Sequence, residues 1–460
     1  MKPPATADKA ILATLFVGVL MAALDIAIVG PALPALRREF GQDERAIAWV
    51  FTIYVLFNLL GTPIMAKLSD RLGRRLVYVA DVALFAIGSG LVAGAESFGM
   101  LLAGRAIQAF GAGGIFPVAS ATIGDVLPPE KRGAALGLIG AVFGIAFLLG
   151  PLVAAALLGV SWRWLFLINL PVAAALIVAS ARLLPARAAG AGGPFDWAGT
   201  ALLALGLAAL TVGLSRVDPA GVALGGGSPP LWPPLWTLFA VAVAAVLGLV
   251  AVERRAVDPL LRPGWFASPQ VRLVALFAAG AGLGEAALVF IPDLAVRGLG
   301  ITAQRSSYVV LPIVIAAAIG SPVLGRLLDR IGPRPIILSA LLLLGSGGLG
   351  IGLARTTLTT LVVGGICLGF GLAGLLGAPL RYILLAEIPS GERAAAQGLL
   401  TVFISLGQLV CGALIGAIAS SQGGGSEGLR VAFVYTGGVV LAMMVFAFGL
   451  RGRPAITAPP

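Results

Sequence analysis

Two carboxylates and one guanidinium stand alone inside long apolar runs of the sequence. Asp25 falls in the run near 10–34, Glu285 in the run near 271–294 and Arg105 in the run near 99–124. On insertion scales a charge so placed costs about 2.5–3.5 kcal/mol, and it has to be compensated. The chemistry open to an isolated carboxyl group is reversible protonation, because moving it between dry and wet surroundings changes its hold on a proton. The chain has no histidine, so no imidazole can carry a proton near neutral pH and the work falls to an acid. Arg105 stays charged at any relevant pH. Beside Asp25 it would favour the ionised carboxylate and be displaced on protonation; the alternative is a static ion pair tying two helices together.

Depth and spacing group these residues. Asp25 lies about fifteen residues into its run, roughly 22 Å at 1.5 Å per residue, and Glu285 lies at nearly the same depth in its own. Arg105 sits roughly 10 Å below the outer end of its run, at the level of Asp25 for a long side chain. Asp25 and Glu285 are 260 positions apart. That interval is not accidental. Residues 61–75, GTPIMAKLSDRLGRR, return as residues 320–334, GSPVLGRLLDRIGPR, at an offset of 259. Residues 128–138, PPEKRGAALGL, return as residues 389–399, PSGERAAAQGL, at an offset of 261. The chain is therefore read as two related halves.

The elements that carry these residues are membrane spans. Of 460 residues, 59% are apolar and only 11% charged, where a soluble chain carries about a quarter charged residues. Fourteen apolar segments are expected, near 10–34, 46–68, 76–95, 99–124, 133–159, 163–184, 197–215, 232–252, 271–294, 306–328, 335–354, 360–386, 394–419 and 430–450. Their grouping gives an all-α polytopic membrane protein. A six-span bundle occupies residues 1–184, a linker with two extra spans 185–262, and a second six-span bundle 263–460. The first segment has the basic start of a signal peptide but is read as a retained span. The net charge of +11 does not imply nucleic acid, since most of the 31 Lys and Arg fall on loops of one side. By the positive-inside rule that side, and both termini, are cytoplasmic. Cys367 and Cys411 each lie in an apolar run and read as packing residues.

The repeated loop has a mechanical reading. Gly61 and Gly73 permit close helix approach and a tight turn, Asp70 caps the next span, and Arg71, Arg74 or Arg75 reaches a neighbouring helix end at Asp125. Gly320, Asp329, Arg330, Gly332 and Arg334 form the second copy, weakened because Pro333 replaces the arginine of Arg74. The alternative is that the basic loops only fix topology. Asp81, a short way into the third span, is read as a structural partner of the Arg71–Arg75 cluster. Asp293, Arg297 and Arg305 are read as an outer loop. Tyr54, Asn58, Gln108, Phe143 and Phe147 are candidates to line a cavity, with ordinary packing as the alternative.

Several of these motifs resemble the major facilitator superfamily, and their combination with fourteen spans resembles its drug:proton antiporters. The loop of residues 61–75 is similar to the superfamily's loop signature. Residues 24–34, LDIAIVGPALP, are similar to that subfamily's first-span motif, residues 102–114 to its fourth-span motif with a buried arginine, and residues 162–171 to its entry into span six. Gly140, Gly144, Gly150 and Pro151 resemble the antiporter motif of span five, although Ala154 and Ala155 stand in place of its closing glycines. Ala27 and Gly30 replace the usual threonine and asparagine.

The resemblance implies a major facilitator fold and proton-coupled export of amphipathic drugs or toxic compounds by alternating access. Protons serve as the coupling ion, with no other cofactor and no metal. The expected partners are a small amphipathic molecule and the lipid bilayer, with no nucleic acid, and the protein is expected to be monomeric. Its expected place is a bacterial inner (cytoplasmic) membrane. Export of an endogenous lipid, siderophore or metabolite is the alternative within the class, and a non-transporting receptor or scaffold the alternative outside it. No phosphate-binding loop, zinc-ligand pattern or nucleophile elbow is present in the sequence, so an enzyme is not expected.

Overall fold

The structure, a computed structural model, describes residues 5–126, 142, 145–146, 149–185, 197–216, 234–254, 263–388 and 393–451. All regular structure among the described residues is helical. Among the described residues thirteen helices are long and apolar enough to cross a membrane. A shorter apolar helix, Leu149–Leu158, stands where the fifth span is expected.

In chain order the first group is α1 (Ala5–Phe40), α2 (Glu44–Leu72), α3 (Arg74–Ala93), α4 (Phe98–Val126), α5 (Leu149–Leu158) and α6 (Trp164–Leu183). Two more follow, α7 (Trp197–Ser215) and α8 (Leu235–Glu253). The last group is α9 (Pro269–Leu299), α10 (Ala303–Leu328), α11 (Pro333–Leu353), α12 (Leu358–Leu384), α13 (Arg393–Ser421) and α14 (Gly425–Ala447). The chain divides into two units. One joins Met1–Gly213, Trp232–Leu260 and Ala303–Tyr308; the other joins Leu214–Leu231, Leu261–Thr302 and Val309–Pro460.

The repeated loop forms the same turn twice. Gly73 between α2 and α3 has φ 94°, and Gly332 between α10 and α11 has φ 81°. A side chain is strained there, which is why glycine recurs at this place in both copies. Each turn glycine donates its N–H back to the helix it leaves, to Ser69 O at 3.2 Å and to Leu328 O at 3.0 Å. Other helix starts are capped by side chains. Asp43 accepts from Ala46 N at 2.7 Å to open α2, and Thr357 accepts from Thr360 N at 3.1 Å to open α12.

Within each unit the third and fourth spans of the repeat are tightly paired. A Cβ added to Gly88 of α3 would come 2.6 Å from the Gln108 Cβ of α4. In the second unit a Cβ on Gly371 of α12 would come 2.6 Å from Leu344 N of α11. Small residues let these backbones approach closely. The first unit's core is apolar, with Leu15, Val19, Val82, Phe85 and Ile115 fully or almost fully buried.

The outer-loop reading of Asp293 and Arg297 is corrected. Both lie within a helical segment, Ile291–Leu299, that extends α9. Pro292 suits the first turn of that segment. The two charges neutralise each other one turn apart, with Arg297 Nε 2.9 Å from Asp293 Oδ2. Cys367 and Cys411 are both free thiols.

Candidate functional site

In the first unit five helices converge on Asp25. Arg105 of α4 places Nη1 2.6 Å from Asp25 Oδ2, and both side chains are 0% exposed. Taking two charges out of water costs several kcal/mol per ion, so a pair so deep requires further hydrogen bonds. They are present. Gln108, one turn after Arg105, accepts from Arg105 Nη1 at 2.6 Å and donates Nε2 to Asp25 Oδ1 at 2.8 Å. Asn169 of α6 donates Nδ2 to the same Oδ1 at 3.3 Å. Ser89 of α3 accepts from Gln108 at 2.8 Å and from Asn169 at 3.3 Å. From α2, the Val50 carbonyl accepts from Arg105 Nε at 3.4 Å.

Aromatic rings complete the enclosure of the cation. The Arg105 guanidinium carbon lies 4.1 Å from the Tyr54 ring centroid and 5.8 Å from that of Phe166. Beyond Phe166 stand Trp162, at 6.3 Å between centroids, and Phe40, 5.8 Å from Trp162. The cluster is therefore a desolvated ion pair held by neutral donors. Protonating Asp25 would remove the attraction holding Arg105 and free the amides of Gln108 and Asn169, giving the carboxyl a means of altering helix contacts.

The second half is built differently. Glu285 on α9 is half-buried and has the Gln408 side chain of α13 as its polar neighbour. Backbones of α9 and α13 meet closely, with Gly282 against Ile404 and Gly407 against Ala279. At the repeat position of Arg105 stands Gly365, packed on Ile313 of α10, which leaves no room for a long cation.

The repeated loops differ as well. Arg74 at the start of α3 reaches Asp125 at the end of α4, Nε to Oδ2 at 3.3 Å, and donates Nη1 to Ser69 Oγ at 2.6 Å. In the second copy Arg334 lies over the Phe448 ring at 5.6 Å. The acid at the end of the helix segment Ala378–Glu387, Glu387, takes Arg451 at 3.0 Å and the Ser268 hydroxyl at 2.6 Å. Pro333 removes the long side chain that Arg74 supplies in the first copy. Arg71, Arg75 and Arg330 lie at the same turns. The side chains of Asp70 and Asp329 are outside the described residues.

Gly61 of α2 packs on the Phe110 backbone of α4, and Gly320 of α10 packs on Phe370 and Ala373 of α12. Gly150 brings α5 against α1, where an added Cβ would lie 2.5 Å from the Ala27 Cβ, two residues beyond Asp25. Its neighbour Pro151 is buried. Gly140, Gly144, Phe143 and Phe147 lie outside the described residues. Asn58 is half-buried, and its carbonyl accepts from Thr62.

Three readings change. Tyr54 and Gln108, considered as cavity lining, are enclosed with the ion pair, at 1% and 0% exposure. An amide can accept from a guanidinium and donate to a carboxylate at once, which suits Gln108 to the space between them. Asp81 does not pair with the arginines of the turn; it is fully buried and neither carboxylate oxygen has a hydrogen-bond partner. Arg74 is already taken by Asp125 and Ser69. Ser89 and the Asn169 amide were not assigned a role from sequence. Each is a polar residue inside an apolar run, and Ser89 shares a face of α3 with Asp81 and Phe85, a signal available from spacing alone.

Helices throughout the described residues, an internal sequence repeat and a buried ion pair joining α1 to α4 are the features of a membrane transporter built from two halves. Residues 15–253 and 273–460 match the family model described as Major Facilitator Superfamily. The chain belongs to that superfamily of transporters. It is 35% identical over 394 residues to the uncharacterized MFS-type transporter YfiU of Bacillus subtilis (strain 168), covering 85% of this chain and 76% of that one. It is 28% identical over 415 residues to the multidrug transporter protein MdtP of the same organism, covering 89% and 75%. Among solved structures, a bacterial homologue of the human lysosomal transporter Spinster matches with TM-score 0.67 at 17% identity, over 97% of each chain. That last likeness concerns the fold.

Proposed function

We propose that this chain is a proton-coupled exporter of amphipathic drugs or toxic organic compounds, working by alternating access in a bacterial inner membrane with both termini cytoplasmic. The observation that carries the reading is the Asp25–Arg105 pair, fully buried and held by Gln108 and Asn169. A desolvated carboxylate whose partners come from α4 and α6, themselves bonded to α2 and α3, couples proton binding to helix contacts more directly than a surface acid would. Each proton moving inward releases about 2.3 kcal/mol per 100 mV of membrane potential, enough for one or two to drive appreciable export. Relatives named as a multidrug transporter protein and as a putative multidrug resistance protein support the substrate class.

In this reading residues 1–184 and 263–460 are the two moving bundles, and residues 185–262 insert two helices between them. Glu285 is a second proton-handling acid, and the Arg74–Asp125 contact a cytoplasmic latch that opens during the cycle. Gly140, Gly144, Gly150 and Pro151 are the antiporter motif of the fifth span. Protons are the only coupling ion invoked, and the chain works as a monomer.

The test is movement of a fluorescent lipophilic cation in energised everted vesicles containing the full chain. Accumulation that collapses when the proton gradient is dissipated is the expected result. Well-folded protein that moves no cation under any gradient would contradict cation-drug export and favour an endogenous, anionic or lipidic cargo.

A further inference from the structure

A second carboxyl group lies in the first unit with no ion pair among the described residues. Asp81 of α3 is 0% exposed, and both of its oxygens lack a hydrogen-bond partner. The Tyr78 hydroxyl, one turn earlier, is likewise buried and without a partner. The Asp81 carboxylate faces Gly114 of α4, where an added Cβ would collide with it, and the Asp81 backbone carbonyl lies against Gly111. The Tyr78 hydroxyl lies against Gly18 of α1. Among the described residues Tyr78 is the titratable neighbour of Asp81, and no cation acts on it. Groups of acids, histidines or cysteines able to hold a metal are absent among the described residues.

An isolated ionised carboxylate in such a place costs far more than a neutral acid. Binding a proton removes that cost with no further partner. The position is also aligned with the first site. Tyr78, Asp81, Phe85 and Ser89 are spaced three, four and four residues apart on α3, and all four are fully buried, so they form one stripe of the helix. Ser89, at the far end, is bonded to Gln108 and Asn169, which hold Asp25. Asp81 lies eight residues nearer the Gly73 turn, about 12 Å along the helix, with Phe85 between.

We infer that Asp81 is a second proton-binding site of the first bundle, loaded in this structure and discharged to water from the side of the Gly73 turn. Its place in the transport cycle rests on the proton-coupled reading above, with the Gly73 turn cytoplasmic. Discharge breaks the carboxyl O–H bond, water takes the proton and the carboxylate is left. Uptake of a proton given up by Asp25, passed through water admitted along α3, restores the acid. Gly114 of α4 brings no side-chain donor to Asp81, so its proton is held chiefly by burial.

The experiment combines infrared spectroscopy with transport on the purified full chain in liposomes. Wild type is expected to show a protonated-carboxyl C=O band at neutral pH that is missing in Asp81→Asn. Gradient-driven efflux of the fluorescent cation should fall at least about tenfold in that variant, while substrate counterflow, which needs no net proton movement, stays at the wild-type level. A band unchanged by the substitution would overturn the site. Loss of the band with gradient-driven efflux intact would overturn its role in proton release. Should Asp81→Asn fail to fold, Asp81→Gly removes the carboxyl without adding bulk and gives the same readings. If wild type itself shows no gradient-driven transport, proton coupling fails as a reading, and the infrared band still decides whether Asp81 holds a proton.

Discussion

The leading helix of each half carries one acid at the same place in the repeat, yet the two acids live in different chemistry. Asp25 is sealed at 0% exposure against a guanidinium and two amides. Glu285 is half-buried with the Gln408 side chain as its partner, and Gly365 stands where an arginine would. Close pairing of the third and fourth spans is common to both halves; the charge compensation is not. Duplication therefore supplied two copies of one scaffold, and a few side chains made one copy an ion-pair site and left the other an acid with no arginine partner. The loops show the same divergence, with Arg74–Asp125 in one copy and Glu387 tied to Arg451 and Ser268 in the other.

This contrast is open to direct attack. Arg105→Ala leaves Asp25 buried without its cation and should lower stability by about 3–5 kcal/mol. Glu285→Gln, which keeps a hydrogen-bonding amide beside Gln408, should cost no more than about 1 kcal/mol. Chemical unfolding in detergent measures both, and equal losses would erase the distinction between the halves. Next in size, Gly88→Ala and Gly371→Ala should each cost about 1–3 kcal/mol by forcing apart helices that are already in contact. Here the two halves should agree, and a marked difference in unfolding midpoint would show that the packing is not shared. Smallest are the ion pairs near the turns. Arg74→Ala and Arg451→Ala should each change stability by less than about 1 kcal/mol, and raised salt should shrink even that difference.

The sequence made the fold legible because apolar length and repeat spacing are direct consequences of a bilayer. The place of Asp25 beside Arg105 was legible because isolated charges in apolar runs demand partners. Gln108, Tyr54 and Ser89 were not, since a polar or aromatic side chain on a span reads alike whether it faces a cavity or a buried ion. Asp81 was misread for a related reason: proximity along the chain to Arg71–Arg75 suggested a salt bridge, but its helical phase turns it toward the glycines of α4. Asp293 and Arg297 looked like a loop because two charges and a proline interrupt the apolar run. Their spacing of four residues lets them pair on a helix instead.

The central claim is that proton coupling resides in the sealed pair of the first half. Its most direct measurement is proton-gradient-driven efflux of a fluorescent lipophilic cation from liposomes containing wild type, Asp25→Asn or Glu285→Gln, each beside substrate counterflow. Asp25→Asn should lose gradient-driven efflux by about 100-fold or more while counterflow persists, and Glu285→Gln should retain a substantial part of both. Gradient-driven efflux at the wild-type level in Asp25→Asn would contradict it.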